Sequence, residues 1–537
     1  MKLVTKTFIC LSIICIILSS KCGYNQVFKD KKPIPIDTSN APKSSRRNLA
    51  STSHPISFYI DSSSINVNRL VSTSYVTQMT KVLSSTVDIF SSLLKVSNDK
   101  KLSIEDPKQC DESLTGSHAL TNIDADIIIY PVILSQKQLG GDGVIAAASA
   151  CYLDGSNGRP VAGVVYLGPN YSFSKPNAEF YLKMLLLHEL THVLAFSSGL
   201  FQYFPEEITT KKIINGVERT LINSTNVVKL ARQHYGCNTL EGVEVEDQGG
   251  SGSAGSHWEA RTMLGDYMIS TDYDENVISD ITLGLFADSG WYEVNYYTGG
   301  LFRFGKNMGC TFLEEKCVRN GDTVFDSEFC TVARKEKCTA GASSKGFCYI
   351  ATYSNTLPTS YQYFSNAKQG GFAPADYCPV AMVQTESSYN FPGNCKFGKS
   401  SYPSALEETI GDNSICLVST LTNKSASGLS SYKGIERAIC HEVTCDKGNK
   451  AVIITIGSTK VKCPQGKGSV SVDGYDGKIT CPDYSRICAG SSWCNDAITC
   501  VKKKVTSELI PYVETQSGYN IYIHSYIYLI IIAILLL

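Results

Sequence analysis

The sequence predicts an α+β fold for the first 300 residues, followed by a module of short strands and loops held by disulfide bonds. Three observations predict it. Runs of β-branched and aromatic residues alternate with helical spacing, one long apolar segment contains no glycine or proline, and the cysteines are unevenly distributed. Only three cysteines lie between residues 23 and 300, whereas fifteen lie between residues 310 and 500. With 537 residues, the chain is long enough for two or three domains.

Strand and helix candidates follow one another through the first 200 residues. Residues 56–60, 123–132 and 161–167 are rich in β-branched and aromatic side chains, which favours strands. Residues 75–96 have apolar side chains at helical spacing, and residues 177–195 (NAEFYLKMLLLHELTHVLA) are dense in leucine. We expect a helix in each of these two segments, and we expect the second to be buried on most sides.

The first 50 residues have the pattern of an exported chain. Lys2 and Lys6 precede an apolar stretch at residues 8–18, which predicts a signal peptide over residues 1–22. Residues 23–50 are polar and contain prolines, and a dibasic pair lies near their end. They are a candidate short propeptide, or alternatively a disordered extension that is not processed.

The cysteines are expected to form disulfide bonds. If the signal peptide removes Cys10, Cys15 and Cys22, eighteen remain, which is an even number and allows up to nine bridges. The chain contains no C-x-x-C pair of the kind that zinc ribbons or thioredoxin-like sites use. The connectivity does not follow from the sequence.

The charge balance excludes one class of partner. Lysine and arginine total 49 against 50 aspartates and glutamates, and only 18% of the residues are charged. The chain therefore has no excess of positive charge that would attract a polyanion, and we expect no nucleic-acid partner.

The carboxyl-terminal residues predict attachment to a membrane. Residues 521–537 are apolar apart from a few tyrosines, one serine and one histidine. A spanning helix normally needs about 20 apolar residues, so this shorter tail favours a GPI-addition signal. A single spanning helix and a buried terminal helix are the alternatives.

The chemistry is carried by the leucine-rich helix. His188, Glu189 and His192 form the motif H-E-x-x-H, in which the two histidines lie on one face and can bind one zinc ion. Glu189 lies about 100° further around the helix, close enough to act as the general base without being a ligand. Such histidines are often ordinary core residues, but burying two of them with a glutamate is costly without a metal.

A catalytic zinc site commonly has three protein ligands and one position for water. His257 follows a glycine-rich segment that can fold back towards the helix, and His234 is the rival candidate. Spacing alone does not choose between them.

At these motifs the chain resembles the leishmanolysins, which are members of the metzincin metallopeptidases. The matching runs are residues 158–169 (GRPVAGVVYLGP), 188–197 (HELTHVLAFS), 240–268 and 283–296. The resemblance extends over most of residues 56–500. It implies a metzincin-type catalytic fold and one catalytic Zn²⁺.

Carried over residue by residue, the resemblance assigns His188, His192 and His257 as the metal ligands and Glu189 as the catalytic base. It assigns Met268 as the Met-turn, a methionine beneath the metal that does not bind it. It also implies a secreted or cell-surface endopeptidase that cleaves peptide bonds in proteins, often with a GPI anchor.

These arguments divide the chain into six parts. After the signal peptide and the candidate propeptide come an N-terminal catalytic subdomain at residues 51–175 and a central subdomain with the zinc site at residues 176–300. A cysteine-rich C-terminal domain follows at residues 301–505. Residues 506–537 form a linker and the hydrophobic tail.

One residue departs from the metzincin pattern. Ala195 occupies the place where H-E-x-x-H-x-x-G has a glycine for a sharp turn. A left-handed alanine costs about 1 kcal/mol. We therefore expect either local strain at Ala195 or a turn delayed to Gly199.

Two other functions compete with the peptidase. The chain could be a catalytically impaired member of the family that acts in adhesion or binding through its cysteine-rich domain. Alternatively, that domain could be an independent recognition module. The sequence does not determine the oligomeric state, the cleavage preference or the physiological substrate.

Overall fold

The computed structural model describes residues 21–22, 32–42, 53–67, 69–97, 100–141, 144–248, 254–271, 273, 275, 277–296, 302–383, 393–400, 402–464 and 468–488. The predicted hydrophobic tail and all but two residues of the predicted signal peptide lie outside these ranges. Within them, no helix combines the length and the apolar character needed to cross a bilayer.

The elements of the first 300 residues are mixed helices and strands. The strands are β1 (Lys21–Cys22), β2 (Ile34–Ile36), β3 (His54–Pro55), β4 (Phe58–Ile60), β5 (Leu94–Val96), β6 (Leu102–Ile104), β7 (Leu120–Ile123), β8 (Ile127–Ile133), β9 (Val144–Asp154), β10 (Pro160–Leu167), β11 (Thr209–Ile214), β12 (Val217–Ile222), β13 (Val243–Glu244) and β14 (Glu293–Val294). The helices are α1 (Ser63–Asn66), α2 (Thr73–Leu93), α3 (Pro107–Cys110), α4 (Ala178–Leu194), α5 (Thr225–Tyr235), α6 (Ala260–Met263) and α7 (Asp280–Asp288).

The remaining elements are mostly short strands. They are the helices α8 (Cys310–Glu314) and α9 (Tyr484–Ile487) and the strands β15 (Glu336–Cys338), β16 (Lys345–Cys348), β17 (Ala351–Thr352), β18 (Gln369–Gly370), β19 (Ala381–Val383), β20 (Ser414–Ser419), β21 (Thr422–Asn423), β22 (Arg437–Asp446), β23 (Ala451–Ile456), β24 (Thr459–Lys462), β25 (Gly468–Val470), β26 (Tyr475–Asp476) and β27 (Ile479–Cys481). Short 3₁₀ turns lie at Phe201–Tyr203, Thr359–Tyr361, Ala373–Ala375 and Ser404–Leu406. The predicted α+β class is confirmed, and its metzincin type stays a prediction.

The main sheet of the first half has the order β1-β9-β10-β8-β4, with β2 also paired to β9. Strands β4, β8 and β10 are parallel, and β9 runs antiparallel to β10. Every residue of β8 and β10 is buried, as expected for strands covered on both faces. Strand β2 belongs to the candidate propeptide, so the described part of that segment pairs with the sheet.

Helices α2 and α4 cover one face of this sheet. Helix α2 starts where Ser72 Oγ accepts a hydrogen bond from Tyr75 N, and it ends at Leu93. The predicted helix was too long by three residues, because residues 94–96 pair as β5 with β3 and β14. Helix α4 packs against β9 and β10, and a side chain at Gly163 would collide with Val193 of α4. This close approach brings the H-E-x-x-H helix onto the sheet.

The second half contains an antiparallel sheet of order β24-β23-β22-β20-β27-β25 with its own apolar core. The core of the first half nevertheless continues beyond residue 300, through Phe304, Phe312 and Phe329 as far as Met382. The domain boundaries drawn from the sequence stay predictions.

Two hydrogen-bonded contacts tie the halves together near residues 273–275. Tyr273 donates its hydroxyl hydrogen to the carbonyl oxygen of Ala381, at 2.7 Å. The buried carboxylate of Glu275 accepts hydrogen bonds from Gly341 N at 2.9 Å and from Ser343 N and Oγ at 3.2 and 2.9 Å. We call these two contacts together the Glu275 clamp.

The described residues contain eight disulfide bonds. They join Cys110–Cys151, Cys237–Cys310, Cys317–Cys378, Cys330–Cys348, Cys338–Cys416, Cys395–Cys440, Cys445–Cys488 and Cys463–Cys481. The prediction of a disulfide-rich second half is confirmed. The Cys237–Cys310 bridge additionally joins the end of α5 to the start of α8.

Candidate metal centre

Helix α4 carries the first two candidate ligands in a buried setting. His188 is 7% exposed, and both Glu189 and His192 are 0% exposed. The prediction of a helix over residues 177–195 is confirmed to within one residue at each end, since α4 spans Ala178–Leu194. One helical turn separates the two histidines, so their rings lie side by side with centroids 4.7 Å apart.

His257 completes the cluster from a different part of the chain. Its Nε2 atom lies 3.3 Å from His188 Nε2, and His188 Nε2 lies 3.1 Å from His192 Nε2. In a tetrahedral zinc site with Zn–N bonds of about 2.0–2.1 Å, ligand nitrogens are about 3.3–3.4 Å apart. The separations of His188 from the other two histidines, 3.3 and 3.1 Å, are therefore close to the spacing that zinc requires. They form one of the groups of described residues able to hold a metal ion.

Hydrogen bonds orient two of the three rings. His188 Nδ1 lies 2.6 Å from the carbonyl oxygen of Tyr267, and His192 Nδ1 lies 2.7 Å from that of Phe196. A carbonyl oxygen can only accept, so each Nδ1 carries the hydrogen and each Nε2 of a neutral ring presents a lone pair. Two lone pairs facing each other at 3.1 Å repel, and a cation between them removes that repulsion.

Burial keeps these rings neutral. It lowers the pKa of His188 to about 4, and it lowers the pKa of His192 well below the ordinary value, with the other two histidines adding to the effect. Metal binding requires the neutral form of imidazole, so the ligands need not lose protons near neutral pH. The donor set fits a zinc ion.

His234, the rival third ligand, lies elsewhere. It is in α5, where its Nε2 is 2.8 Å from the carbonyl oxygen of Phe304 and its ring stacks on Phe302 at 4.6 Å. Its burial lowers its pKa to about 3. His234 therefore contacts Phe302 and Phe304, at the start of the second half of the chain. It is His257 that the structure brings to the other two histidines.

A turn in the segment after His257 supports the cluster of three histidines, and a buried aspartate holds this turn. Asp266 is 0% exposed, and its carboxylate accepts hydrogen bonds from Met268 N at 2.7 Å, Thr282 Oγ1 at 2.8 Å and Ser279 N at 3.2 Å. These bonds hold the turn whose Tyr267 carbonyl orients His188. Sequence reasoning missed Asp266, although an aspartate two residues before a turn residue is a recognised turn former.

Met268 lies in this supported turn. Its side chain is fully buried, and its carbonyl oxygen accepts a hydrogen bond from Trp258 N at 2.9 Å. Met263, the nearby alternative, instead accepts a hydrogen bond at its sulfur from Tyr235 at 3.0 Å. The role of Met268 as the Met-turn stays a prediction.

Ala195 does not adopt the left-handed conformation. Helix α4 ends at Leu194, and Ala195 has φ −159° and ψ −43°. The chain leaves the helix with the amides of Ala195 and Phe196 both bonded to the carbonyl of Thr191, at 3.0 and 2.9 Å. The helix therefore ends where the metzincin pattern has glycine, without the left-handed alanine that the pattern implied and without a delay of the turn to Gly199.

The comparisons with known proteins agree with this site. The sequence profile of the leishmanolysin peptidases matches residues 70–495. The chain is 29% identical over 383 residues to leishmanolysin of Leishmania tropica, covering 68% of this chain and 55% of that protein. It is 31% identical over 364 residues to a leishmanolysin homolog of Crithidia fasciculata, covering 64% and 53%.

A relative from an animal is similar over a comparable range. The chain is 26% identical over 438 residues to the leishmanolysin-like peptidase of Drosophila melanogaster, covering 68% of this chain and 64% of that one. The matches therefore span little more than half the length of the first two relatives and about two thirds of this chain. Because the profile matches most of its length and the three histidines converge, this chain belongs to the leishmanolysin family of zinc metalloproteases.

Proposed function

We propose that the protein is an active zinc endopeptidase that hydrolyses peptide bonds in proteins, with His188, His192 and His257 as ligands and Glu189 as general base. The observation that carries the proposal is the convergence of three buried imidazoles, two of them on the helix that carries Glu189. The three ring nitrogens leave the fourth tetrahedral position open for water.

A bound zinc ion supplies Lewis acidity, which polarises the scissile carbonyl and makes water acidic. Glu189 follows His188 directly on α4 and is fully buried. Its carboxylate accepts the proton of the attacking water and later returns that proton to the leaving amine. The hydrogen bonds from His188 to Tyr267 and from His192 to Phe196 fix the rings while this proton moves.

The test is cleavage of a quenched protein substrate by the purified full chain. Wild type is expected to cleave, and activity should be lost with a zinc chelator and with Glu189→Gln, which should still bind zinc. Glu179→Gln is the matched control, because Glu179 is on the same helix but its side chain is 61% exposed and pairs with Lys81. Cleavage that survives both chelation and Glu189→Gln contradicts the proposal.

Absence of cleavage by zinc-loaded wild type would favour the other candidate, a catalytically impaired family member acting in adhesion through its cysteine-rich domain.

We further propose that the protein reaches the cell surface and is held there through residues 506–537, by a GPI anchor or another membrane tether. Expression of the full chain and of a form ending at residue 505 tests this. The full chain should remain with the membrane fraction, and the shortened form should be released into the medium.

A further inference from the structure

A group of three carboxylates, two of them buried, lies beside the segment that carries His257. One oxygen each of Glu246, Asp247 and Glu259 lie within 4.8 Å of one another. We call these three residues the carboxylate triplet. None of the three is a proposed zinc ligand, and each offers a carboxylate oxygen as its ligand atom.

The triplet is built on the pair of extended segments that presents His257. Glu246 N donates to the carbonyl oxygen of His257 at 2.9 Å, and Glu259 N donates to that of Glu244 at 3.0 Å. Val245 and Trp258 pair between these two bonds. Whatever holds the triplet together therefore also holds the third candidate zinc ligand in place.

Protein donors satisfy only some of the triplet's oxygens. Glu246 accepts hydrogen bonds from Gln248 N at 2.7 Å and Ser270 Oγ at 3.0 Å. Glu259 is 0% exposed, and its Oε1 accepts from Arg261 N at 2.9 Å. Its Oε2 is buried and has no hydrogen-bond partner in the described part of the chain. A buried carboxylate oxygen without a partner is costly.

Positive charge around the triplet is scarce. Arg219 is buried and lies 2.7 Å from Asp247, and it also contacts Asp376 and lies 3.8 Å from Glu244. Among the described residues, neither Glu246 nor Glu259 has a cationic side chain within 4.0 Å. The nearby guanidinium of Arg261 instead donates to backbone carbonyls of residues 312–315. Arg219 therefore contacts three carboxylates, and the two glutamates of the triplet are left without a cationic partner among the described residues.

We infer that the carboxylate triplet binds a second, non-catalytic divalent cation, and that this cation is calcium. All three donors are oxygens, which hard cations prefer and which disfavours zinc. Calcium accepts several carboxylate ligands in flexible geometry, whereas magnesium demands near-ideal octahedral geometry and usually keeps several waters. Three carboxylates whose ligand oxygens all lie within 4.8 Å of one another are therefore the kind of protein donor set that calcium uses.

The triplet also has an entry path. Glu246 and Glu259 are buried, whereas the side chain of Asp247 is 28% exposed and lies at the rim. A cation can therefore enter from solvent on the Asp247 side, where water can complete its coordination. Its effect is structural: it neutralises the carboxylates and fixes the segment bearing His257.

Calcium binding is measured on the full chain after treatment with a metal-chelating resin and readdition of one equivalent of zinc. Calcium chloride alone is the probe, with magnesium chloride in a parallel series. Calcium at about 100 times its dissociation constant should raise the melting temperature by roughly 5 °C, with much less effect of magnesium. Elemental analysis after gel filtration should find one calcium per chain. These measurements do not depend on cleavage, so they separate this inference from the proposed peptidase activity.

Variants assign the ion to the triplet. Glu259→Gln and Asp247→Asn should each abolish the calcium-dependent rise, and Asp247→Asn covers the case in which Glu259→Gln does not fold. Glu241→Gln is the matched control, since Glu241 lies in the same segment, is 62% exposed and pairs with Lys212. Wild type that binds no calcium and shows no change in melting temperature overturns the inference, and implies that the triplet shares a proton instead. An unchanged calcium response in Asp247→Asn also overturns it.

Discussion

Replacing Asp266 by alanine tests whether the turn beneath the zinc site sets its metal affinity. Asp266 is fully buried and accepts three hydrogen bonds, from Met268 N, Ser279 N and Thr282 Oγ1. Each donor left unsatisfied costs about 1–3 kcal/mol, and partial relaxation reduces the total to about 3–6 kcal/mol. At roughly 2 °C per kcal/mol for a unit of this size, the melting temperature should fall by about 6–12 °C.

Zinc affinity should fall as well, because the same turn presents the carbonyl oxygen of Tyr267 to His188 at 2.6 Å. Loss of such an indirect support typically lowers metal affinity by about 10–100-fold. Thermal denaturation gives the stability, and titration of the zinc-loaded protein with a competing chelator gives the affinity. Asp266→Asn should have an intermediate effect, because its amide oxygen can still accept from Met268 N.

Asp288→Ala is the matched control. Asp288 is also a carboxylate with several protein donors, accepting from Asn226 N at 2.9 Å and Val227 N at 3.0 Å at the start of α5. Its loss should lower stability but leave zinc affinity unchanged. If Asp266→Ala retains wild-type zinc affinity, or if Asp288→Ala weakens zinc equally, the proposed link between the turn and the metal is refuted.

Four further outcomes follow from the structure. His257→Ala should lose zinc while His234→Ala keeps one equivalent, and equal loss in elemental analysis would reject the assignment of the third ligand. Replacing Cys237 and its partner by serine opens a bridge across 73 residues and should cost about 4 kcal/mol of stability in denaturant unfolding; an unchanged midpoint would contradict this. Because burial lowers the folded-state pKa of His188 to about 4, the unfolded chain binds more protons at this residue below pH 6.5, so metal-free wild type should lose stability relative to metal-free His188→Gln as pH falls from 6.5 towards 4; a difference in melting temperature that does not change with pH would exclude this linkage. A chain ending at residue 300 should not fold, since the core continues to Met382; cooperative unfolding and full activity of that fragment would instead support an independent module.

Local patterns predicted the parts of the fold that local forces decide. The boundaries of α4 follow from an unbroken leucine-rich run, and β10 follows from a β-branched run. The end of α2 did not follow, because residues 94–96 leave the helix to pair with strands that are distant in sequence. The spacing of apolar residues within one segment carries no information about a pairing strand that is distant in sequence.

The same limit applies to the metal centre. The spacing of His188 and His192 is a property of one helix, so the sequence alone was enough to predict these two ligands. The third ligand depends on how a segment some 65 residues later folds back, and spacing left His234 and His257 open. Family resemblance favoured His257, and the structure brings it to the other two. Disulfide pairing and the role of Asp266 depend on such long-range contacts as well, so no local pattern predicted them.

The Glu275 clamp has a consequence for the order in which the molecule is made. Tyr273 and Glu275 follow the Met268 turn by only a few residues, yet their partners lie between Thr339 and Ala381. A growing chain on the ribosome can form α4 with its two histidines long before those partners exist. The contacts of Tyr273 and Glu275 are completed only once residues up to Ala381 have emerged. A nascent chain therefore carries the motif of the site before it has the site itself.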